Sequence, residues 1–292
     1  HFPNKVYGVF GHFPKIKTIA VDPTLSNWEN YYDFECTFIP DFFSRKVLPQ
    51  EALESVGLVT SIAMLYDLPD PTQFMQDIYD SLRPGGYWFT EQSYLPEMIR
   101  LNSYDTICHE HLEFYSLKVV KNLLEREGLR IIDVQMNDIN GGSFAVTACK
   151  RDAKYKSNIP IINWMLSLEQ EMGLDTIKPY EEFAKRTAQH KKNLKELITA
   201  LVADGKKVFG YGASTKGNTL LQYFGLDGTH IDAIAERSPY KFGYKTIGTN
   251  IPNPCAGFWP TMPMRWASPP GLVSEVEIPS TEISPAKIPP VW

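Results

Sequence analysis

Cysteine is scarce in this sequence of 292 residues, and its four cysteines lie far apart. No Cys-x-x-Cys pair occurs, so neither a zinc ribbon nor a disulfide framework is expected. No apolar run approaches the roughly 20 residues that a helix needs to cross a bilayer. The first residues also lack the layout of a signal peptide. We therefore expect a soluble, cytoplasmic protein with reduced thiols.

An excess of positive charge is also absent. The sequence has 29 lysine and arginine residues against 34 aspartate and glutamate residues, which gives a net charge of −5. A general nucleic-acid binder needs a basic face for its phosphate contacts. We therefore expect no nucleic acid and no membrane as partner. A small-molecule ligand, including a phosphorylated one in a local basic pocket, remains possible.

The usual glycine motifs of nucleotide-binding proteins are missing as well. The sequence has neither the Walker spacing G-x-x-x-x-G-K-[ST] nor the dinucleotide pattern G-x-G-x-x-G. It also lacks the G-x-x-G-x-x-G motif and the Tyr-x-x-x-Lys pair that are usual in nucleotide-sugar oxidoreductases and epimerases. These absences argue against a nucleotide-sugar oxidoreductase or epimerase, which we keep only as the least favoured alternative.

Short buried strands alternate with helices in the first half of the sequence. This alternation predicts an α/β fold with a parallel, doubly wound sheet, in which ligands bind beyond the carboxyl ends of the strands. Strands are predicted at 15–21, 36–40, 57–65 and 87–91, a helix at 71–82, a helix at 117–127, and two closing strands at 129–134 and 142–150.

The second half begins with a long helical stretch from about 162 to 204, broken at Lys178-Pro179. A second, smaller α/β unit follows, with strands at 206–212 and 230–236 around a helix that starts near 213. Residues 252–292 hold 10 of the 22 prolines and have no hydrophobic period. We expect this segment to be an irregular tail.

The segment 102–116 has the highest density of ionisable side chains. His109 and His111 flank Glu110, and the segment follows a predicted strand end, where an α/β site is expected. Histidine titrates near neutrality and can act as a general base beside a carboxylate. Metal binding by the two histidines is a weaker alternative, because no further ligand has a supportive spacing. A loop with purely structural histidines is the other alternative.

A second candidate site is the glycine turn at 210–217, where a strand leads into a helix. The N–H groups of a helix N-terminus attract anions, and Ser214 and Lys216 could add a hydroxyl donor and a positive charge. Ordinary helix capping explains the same residues equally well.

Asp22 and Asp41 each follow a predicted strand. An aspartate in such a position can hold the ribose of a nucleotide or accept a hydrogen bond from an adenine, with Phe42 packing on the base. Turn or N-cap roles explain these aspartates as well.

Taken together, these segments resemble the family of sugar C-methyltransferases, which use S-adenosylmethionine to methylate a carbon of nucleotide-linked 4-keto deoxysugars. The resemblance covers roughly residues 12–251. The matching segments are IAVDP at 19–23, YWFTEQSY at 87–94, NSYDTICHEHLEFYSL at 102–117, NGGSF at 140–144, FGYGASTKGNTLL at 209–221 and KFGYKTIGTNI at 241–251.

The resemblance implies a role for most of the candidate residues. His111 would be the base that removes the proton next to the ketone, with Glu110 beside it. Tyr104 and His109 would shape the sugar pocket. The remaining residues would bind ligands: Asp22, Asp41 and Phe42 the adenosine of the cofactor, and Ser214 and Lys216 the diphosphate of the nucleotide sugar. Cys108 stands where relatives can carry a tyrosine, so a phenol role there would be lost.

The resemblance also implies a domain layout. We expect an unassigned segment at 1–11, a partial Rossmann-like methyltransferase domain at 12–155, a C-terminal α/β domain at 156–251 that helps to bind the nucleotide sugar, and the tail at 252–292. The family's zinc-binding N-terminal domain and its first cofactor motif have no match in the sequence. We therefore expect a fragment, and the alternative functions are a non-catalytic nucleotide-sugar binding module or an inactive fragment.

Overall fold

The structure is a computed structural model that describes residues 16–27, 32, 35–236 and 238–254. The described residues fall into two compact units. The first lies within His1–Tyr104 and His109–Phe183, and the second within Asp105–Cys108 and Ala184–Trp292. Residues 1–11, Lys15 and residues 255–292, for which the sequence makes predictions, lie outside the described residues. No helix in the described part of the chain is long and apolar enough to cross a membrane.

The strands of the first unit form two sheets, and in each sheet the first two strands along the chain pair in parallel. In the smaller sheet β1 pairs with β2, and Asp22 N–H donates to the Ile39 carbonyl just beyond them. The larger sheet has the order β3-β4-β6-β5, with β3 and β4 parallel. The strands are β1 Ile19–Val21, β2 Thr37–Ile39, β3 Val56–Ile62, β4 Leu82–Ser93, β5 Leu129–Asn137 and β6 Ser143–Lys150.

The last two strands of this sheet depart from the predicted parallel pairing. β6 is antiparallel to both β4 and β5. The reason is the connection: β5 and β6 are joined by a short turn at Ile139–Gly141, whereas a parallel pair needs a crossover of a dozen or more residues.

The predicted helices begin and end close to the predicted positions, and a further short helix, Leu95–Leu101, was not predicted. Asp70 caps the first helix by accepting from Gln73 N–H, and Ser116 caps the third by accepting from Val119 N–H. Pro179 lies in the first turn of the fifth helix, where proline is tolerated, so the break between the long helices falls at 172–177 instead. The helices are α1 Pro71–Ser81, α2 Leu95–Leu101, α3 Leu117–Arg126, α4 Ile159–Glu171, α5 Lys178–Ala203 and α6 Thr215–Phe224.

The core of the first unit is built around Trp88 on β4. Its ring is fully buried and makes an edge contact with Phe74 of α1. The indole N–H donates to Ser61 Oγ at 2.9 Å, and Ser61 in turn donates to Thr90 Oγ1. The side-chain polar atoms of Trp88, Ser61 and Thr90 are therefore paired with one another, which fixes β3 against β4.

The second unit contains a short parallel pair, β7 Phe209–Tyr211 and β8 Ala233–Ala235, connected through α6. The sequence places residues 252–254 in the irregular tail, but they join this unit. The Pro252 carbonyl accepts from Ile234 N–H, and Asn253 exchanges two backbone hydrogen bonds with residues 243 and 244. Proline has no N–H but keeps its carbonyl, so Pro252 can accept at the edge of a strand.

Gly142, in the turn between β5 and β6, touches the first turn of α2. Its φ is 119°, and a Cβ at this position would lie 2.6 Å from Glu97 Cβ. Its carbonyl accepts from Tyr94 N–H at 3.1 Å. Only glycine allows this close approach, which positions the start of α2.

We expect Gly142→Ala to lower the free energy of unfolding by about 3 kcal/mol, because it combines backbone strain with a steric clash. Gly85→Ala is the matched control. Gly85 also has a positive φ, of 74°, but a Cβ there would have no atom within 4 Å. We expect it to lose only about 1 kcal/mol. Urea denaturation measures both, and equal losses would contradict the role of the Glu97 contact.

Candidate active site

The candidate site lies where β3 and β4 end, at the edge of the sheet where α/β proteins bind ligands. Tyr66 follows β3, and Ser93 is the last residue of β4. The histidine-containing segment leaves α2 and returns to this edge before α3 begins. On its return Tyr115 forms a bridge with Tyr94, and its carbonyl accepts from Leu95 N–H at 2.9 Å.

The backbone of Tyr66 holds the middle of this segment. Its carbonyl accepts from Leu112 N–H at 2.8 Å and from Glu113 N–H at 3.2 Å. The half-buried imidazole of His111 lies against the Tyr66 ring, with 4.4 Å between the ring centroids. The position of His111 is therefore set by backbone hydrogen bonds on one side and by an aromatic ring on the other.

The end of the segment is fixed by Glu169, a residue of α4 that is only 3% exposed. Its carboxylate accepts from the Tyr94 hydroxyl at 2.8 Å and from the N–H groups of Leu117 and Lys118 in the first turn of α3. A carboxylate at a helix N-terminus satisfies N–H groups that lack partners inside the helix. Burial and the adjacent Glu169 carboxylate together raise the pKa of Tyr94 far above its ordinary value.

A small cavity opens beside His111. His111, Glu113 and Tyr115 contribute to it from the loop, and Tyr66 and Ser93 from the strand ends. The lining is completed by Phe114, Tyr94, Leu95 and Met98. The cavity thus brings an imidazole, a carboxylate and phenol groups together at the predicted edge of the sheet.

The other predicted residues of this segment lie differently. His109 and Glu110 are exposed and do not line the cavity, whereas Tyr104 is buried in a short helical turn. Of the four residues predicted here, the structure therefore brings only His111 into the cavity. Within the described part of the chain, no group of three histidine, cysteine or acidic side chains could hold a metal ion.

Four contributors were not singled out from the sequence. Glu113 and Tyr115 belong to the dense segment, and Tyr66 follows a predicted strand, so their positions carried a signal. Glu169 carried none, because it lies more than 50 residues from the groups it binds on α3.

Asp22 and Asp41 follow the neighbouring parallel strands β1 and β2, so they lie at the same edge of that sheet. Asp22 accepts from the N–H and hydroxyl of Thr24, at 2.7 and 2.6 Å, and Asp41 accepts from Phe42 N–H at 2.7 Å. Phe42 is 74% exposed. Two carboxylates and an exposed aromatic ring therefore follow the strands of this small sheet.

In the second unit Ser214 is the cap of α6, since its hydroxyl accepts from Gly217 N–H at 3.0 Å. Lys216 is half-buried in the first turn of this helix. Beside the turn, Lys241 Nζ lies 3.3 Å from the Glu236 carboxylate, which also accepts from Ala213 N–H. The turn is thus stabilised by its own side chains.

The Glu169 contacts predict a large effect on stability. Glu169→Ala leaves two helix N–H groups and a buried phenol without their acceptor, and we expect it to lower the free energy of unfolding by about 3 kcal/mol. Glu171→Ala, at an exposed position of the same helix, is the control, with an expected change below about 0.5 kcal/mol. Chemical denaturation measures both.

Amide hydrogen exchange at Leu117 and Lys118 gives a local test of the same contacts. Protection of these two amides should fall in Glu169→Ala and not in Glu171→Ala. Unchanged protection together with unchanged stability would contradict the role assigned to Glu169.

Comparison with known proteins identifies two adjoining domains. A methyltransferase-domain family model matches residues 12–134, and a model described as the C-methyltransferase C-terminal domain matches residues 138–254. The C-methyltransferase NovU of Streptomyces niveus is 37% identical over 238 residues, which are 81% of this chain and 56% of NovU. The chain therefore spans a little over half the length of this relative.

Similar solved structures include LepI in complex with S-adenosylmethionine, with a TM-score of 0.42 and 14% identity over 51% of this chain and 40% of LepI. Another is the Burkholderia thailandensis 1,6-didemethyltoxoflavin-N1-methyltransferase with S-adenosylhomocysteine, with a TM-score of 0.34 and 15% identity over 46% and 61% of the two chains.

The two domain matches adjoin one another and together cover residues 12–134 and 138–254. The predicted Rossmann-like α/β methyltransferase fold is confirmed. The chain belongs to the C-methyltransferase family.

Proposed function

We propose that this chain is part of an S-adenosylmethionine-dependent C-methyltransferase that acts on a nucleotide-linked 4-keto deoxysugar. The observation that carries the proposal is the position of His111. It lines the cavity at the carboxyl ends of β3 and β4, within the segment most typical of sugar C-methyltransferases. Family membership supports methyl transfer to carbon, and the resemblance of that segment supports the keto-sugar substrate.

In this proposal the imidazole of His111 removes a proton from the carbon next to the ketone. The ketone makes this C–H group acidic, because the electrons left behind spread onto the carbonyl oxygen as an enolate. A positioned general base typically contributes 10²- to 10⁴-fold to such a step. Glu110 follows His109 on the exposed side of the same loop and would act beside the base, as the resemblance implies.

S-adenosylmethionine supplies an electrophilic methyl group when it is bound. Asp22 and Asp41 would hold its adenosine from the ends of β1 and β2, and Phe42 would pack on the adenine ring. The local hydrogen bonds of these aspartates fix the direction of each carboxylate. This preorganisation lowers the entropy cost of binding.

The resemblance also implies roles in substrate binding. Tyr104 and His109 would shape the sugar pocket, and Ser214 and Lys216 would bind the diphosphate near the start of α6. We propose domain bounds of 12–155 for the methyltransferase domain and 156–251 for the C-terminal domain, and a cytoplasmic location. Zinc would belong only to the family's N-terminal domain.

The direct test is to incubate the full-length protein with S-adenosylmethionine and a panel of nucleotide-linked 4-keto sugars, followed by mass spectrometry. We expect a product heavier by one methylene group. No methylated product from any 4-keto sugar would contradict the proposal.

The role of His111 is tested by exchange of the proton next to the ketone with deuterium from the solvent. We expect His111→Ala to lower the exchange rate by at least about 100-fold, since the general base is lost. His230→Ala is the control, because His230 contacts only its own turn through Asp227 and Thr229. Exchange at the parent rate in His111→Ala would show that another group is the base.

Cofactor binding is tested by calorimetry with S-adenosylhomocysteine. We expect Asp22→Asn and Asp41→Asn each to weaken binding about tenfold or more, because each loses a charged hydrogen-bond acceptor. Glu171→Gln is the control for a loss of one negative charge elsewhere. Equal affinity in all variants would contradict the adenosine site.

If the unsubstituted protein does not bind S-adenosylhomocysteine at all, a non-catalytic nucleotide-sugar binding module becomes the better description.

A further inference from the structure

Tyr115 has an unusual polar group for a core residue. Its side chain is 1% exposed, and its hydroxyl has no hydrogen-bond partner among the described residues. Buried hydroxyls nearly always have a partner, because burying one without a partner costs free energy. The ring itself is held firmly, because the backbone of Tyr115 is bridged to Tyr94 and Leu95.

The surroundings of Tyr115 point to a ligand. The residue lines the same cavity as His111, the proposed base. The Glu113 carboxylate also lines this cavity and lies close enough to influence Tyr115, although no hydrogen bond of ordinary geometry joins the two groups. Burial and this carboxylate raise the pKa of Tyr115 far above its ordinary value. The hydroxyl therefore keeps its proton and remains a neutral hydrogen-bond donor.

Two neighbouring buried polar groups are less able than the Tyr115 hydroxyl to donate a hydrogen bond to a ligand in this cavity. The hydroxyl of Tyr94, which lines the same cavity, is already donated to Glu169 at 2.8 Å. The amide of Gln92 is buried without a partner at the end of β4, but Gln92 does not line the cavity. Of these three buried polar side chains, only that of Tyr115 has both an unused donor and a place in the cavity.

We propose that the Tyr115 hydroxyl donates a hydrogen bond to the ketone oxygen of the substrate and stabilises the negative charge that develops there. This inference rests on the proposed function and adds a second catalytic residue to the same cavity. His111 would act on the carbon-bound proton, and Tyr115 on the oxygen two bonds away from that carbon.

In the proton-removal step, the proton moves from carbon to the His111 imidazole, and the C–H electron pair becomes the new carbon–carbon double bond. The carbonyl π electrons move onto the oxygen, where they meet the Tyr115 hydroxyl, which keeps its own proton. On methylation, the electrons of the carbon–carbon double bond would form the new bond to the methyl group, while the methyl–sulfur bond of S-adenosylmethionine would break and leave its electron pair on the sulfur of S-adenosylhomocysteine. The carbonyl would form again, the hydrogen bond from Tyr115 would weaken, and His111 would release its proton to solvent. A donor placed where charge develops stabilises the transition state more than the ground state.

Tyr115→Phe tests the inference, because it removes the hydroxyl and keeps the ring. Deuterium exchange next to the ketone is measured without any methyl donor, so that proton removal is observed alone, and methyl transfer is measured separately. We expect kcat for both to fall about 10²- to 10³-fold, as for the loss of one oxyanion donor, with a much smaller change in KM. Tyr79→Phe on α1, outside the cavity, is the matched control with parent rates.

Thermal unfolding separates a catalytic from a structural role. A hydroxyl without a partner in the free protein contributes nothing to folding, so Tyr115→Phe should melt at or above the parent temperature. Parent exchange rates in Tyr115→Phe would overturn the inference and leave the proposed function intact. A lowered melting temperature would also overturn it, because the hydroxyl would then have a structural partner. If the unsubstituted protein exchanges no proton and methylates no ketone, the proposed function fails and this inference with it.

Discussion

The carboxylate of Glu169 is buried inside the first unit and joins three segments that are distant in the sequence. It connects α4 with the start of α3 and with Tyr94 at the end of β4. A buried charge is costly unless it is fully hydrogen-bonded, so this arrangement tolerates little movement of any partner. The loop that carries His111 lies between two of these fixed points. Its geometry therefore depends on a residue that does not itself line the cavity.

The fixed ends explain how an exposed and polar loop can hold His111 in place. Between the end of α2 at Leu101 and the start of α3 at Leu117 the chain has little regular structure, and loops of this kind usually move more than helices or strands. Here the Tyr66 carbonyl binds the middle of the loop, and the Tyr94–Tyr115 bridge binds its return. The exposed residues His109 and Glu110 come earlier in the chain than the residues that these contacts hold. The same backbone thus presents His111 to the cavity and His109 and Glu110 to the solvent.

Local patterns in the sequence were sufficient to predict most elements of the fold. Strand ends, the helix starts at Pro71 and Leu117 and the position of His111 at a sheet edge all follow from short-range signals such as periodicity and turn residues. Contacts between distant residues were not predictable in this way. Glu169 reads as an ordinary helical glutamate, and the pairing of 252–254 with 243–245 is hidden by the prolines. The antiparallel end of the sheet depends on the connection length more than on the strands.

The second unit illustrates how a structural role can limit a binding role. Ser214 was a candidate phosphate ligand, but its hydroxyl already accepts from Gly217 N–H as the cap of α6. The Glu236 carboxylate, which accepts from Ala213 N–H, adds negative charge beside the same turn. A diphosphate would meet both groups, and the nearby charge of Lys241 is already balanced by Glu236. Attraction for an anion at this turn would therefore come mainly from Lys216 and from the N–H groups of the first helical turn that Ser214 leaves unused. Of the two residues predicted here, we expect Lys216 to have the greater effect on the binding of an anion, through its charge, and Ser214 to have the greater effect on the stability of the helix.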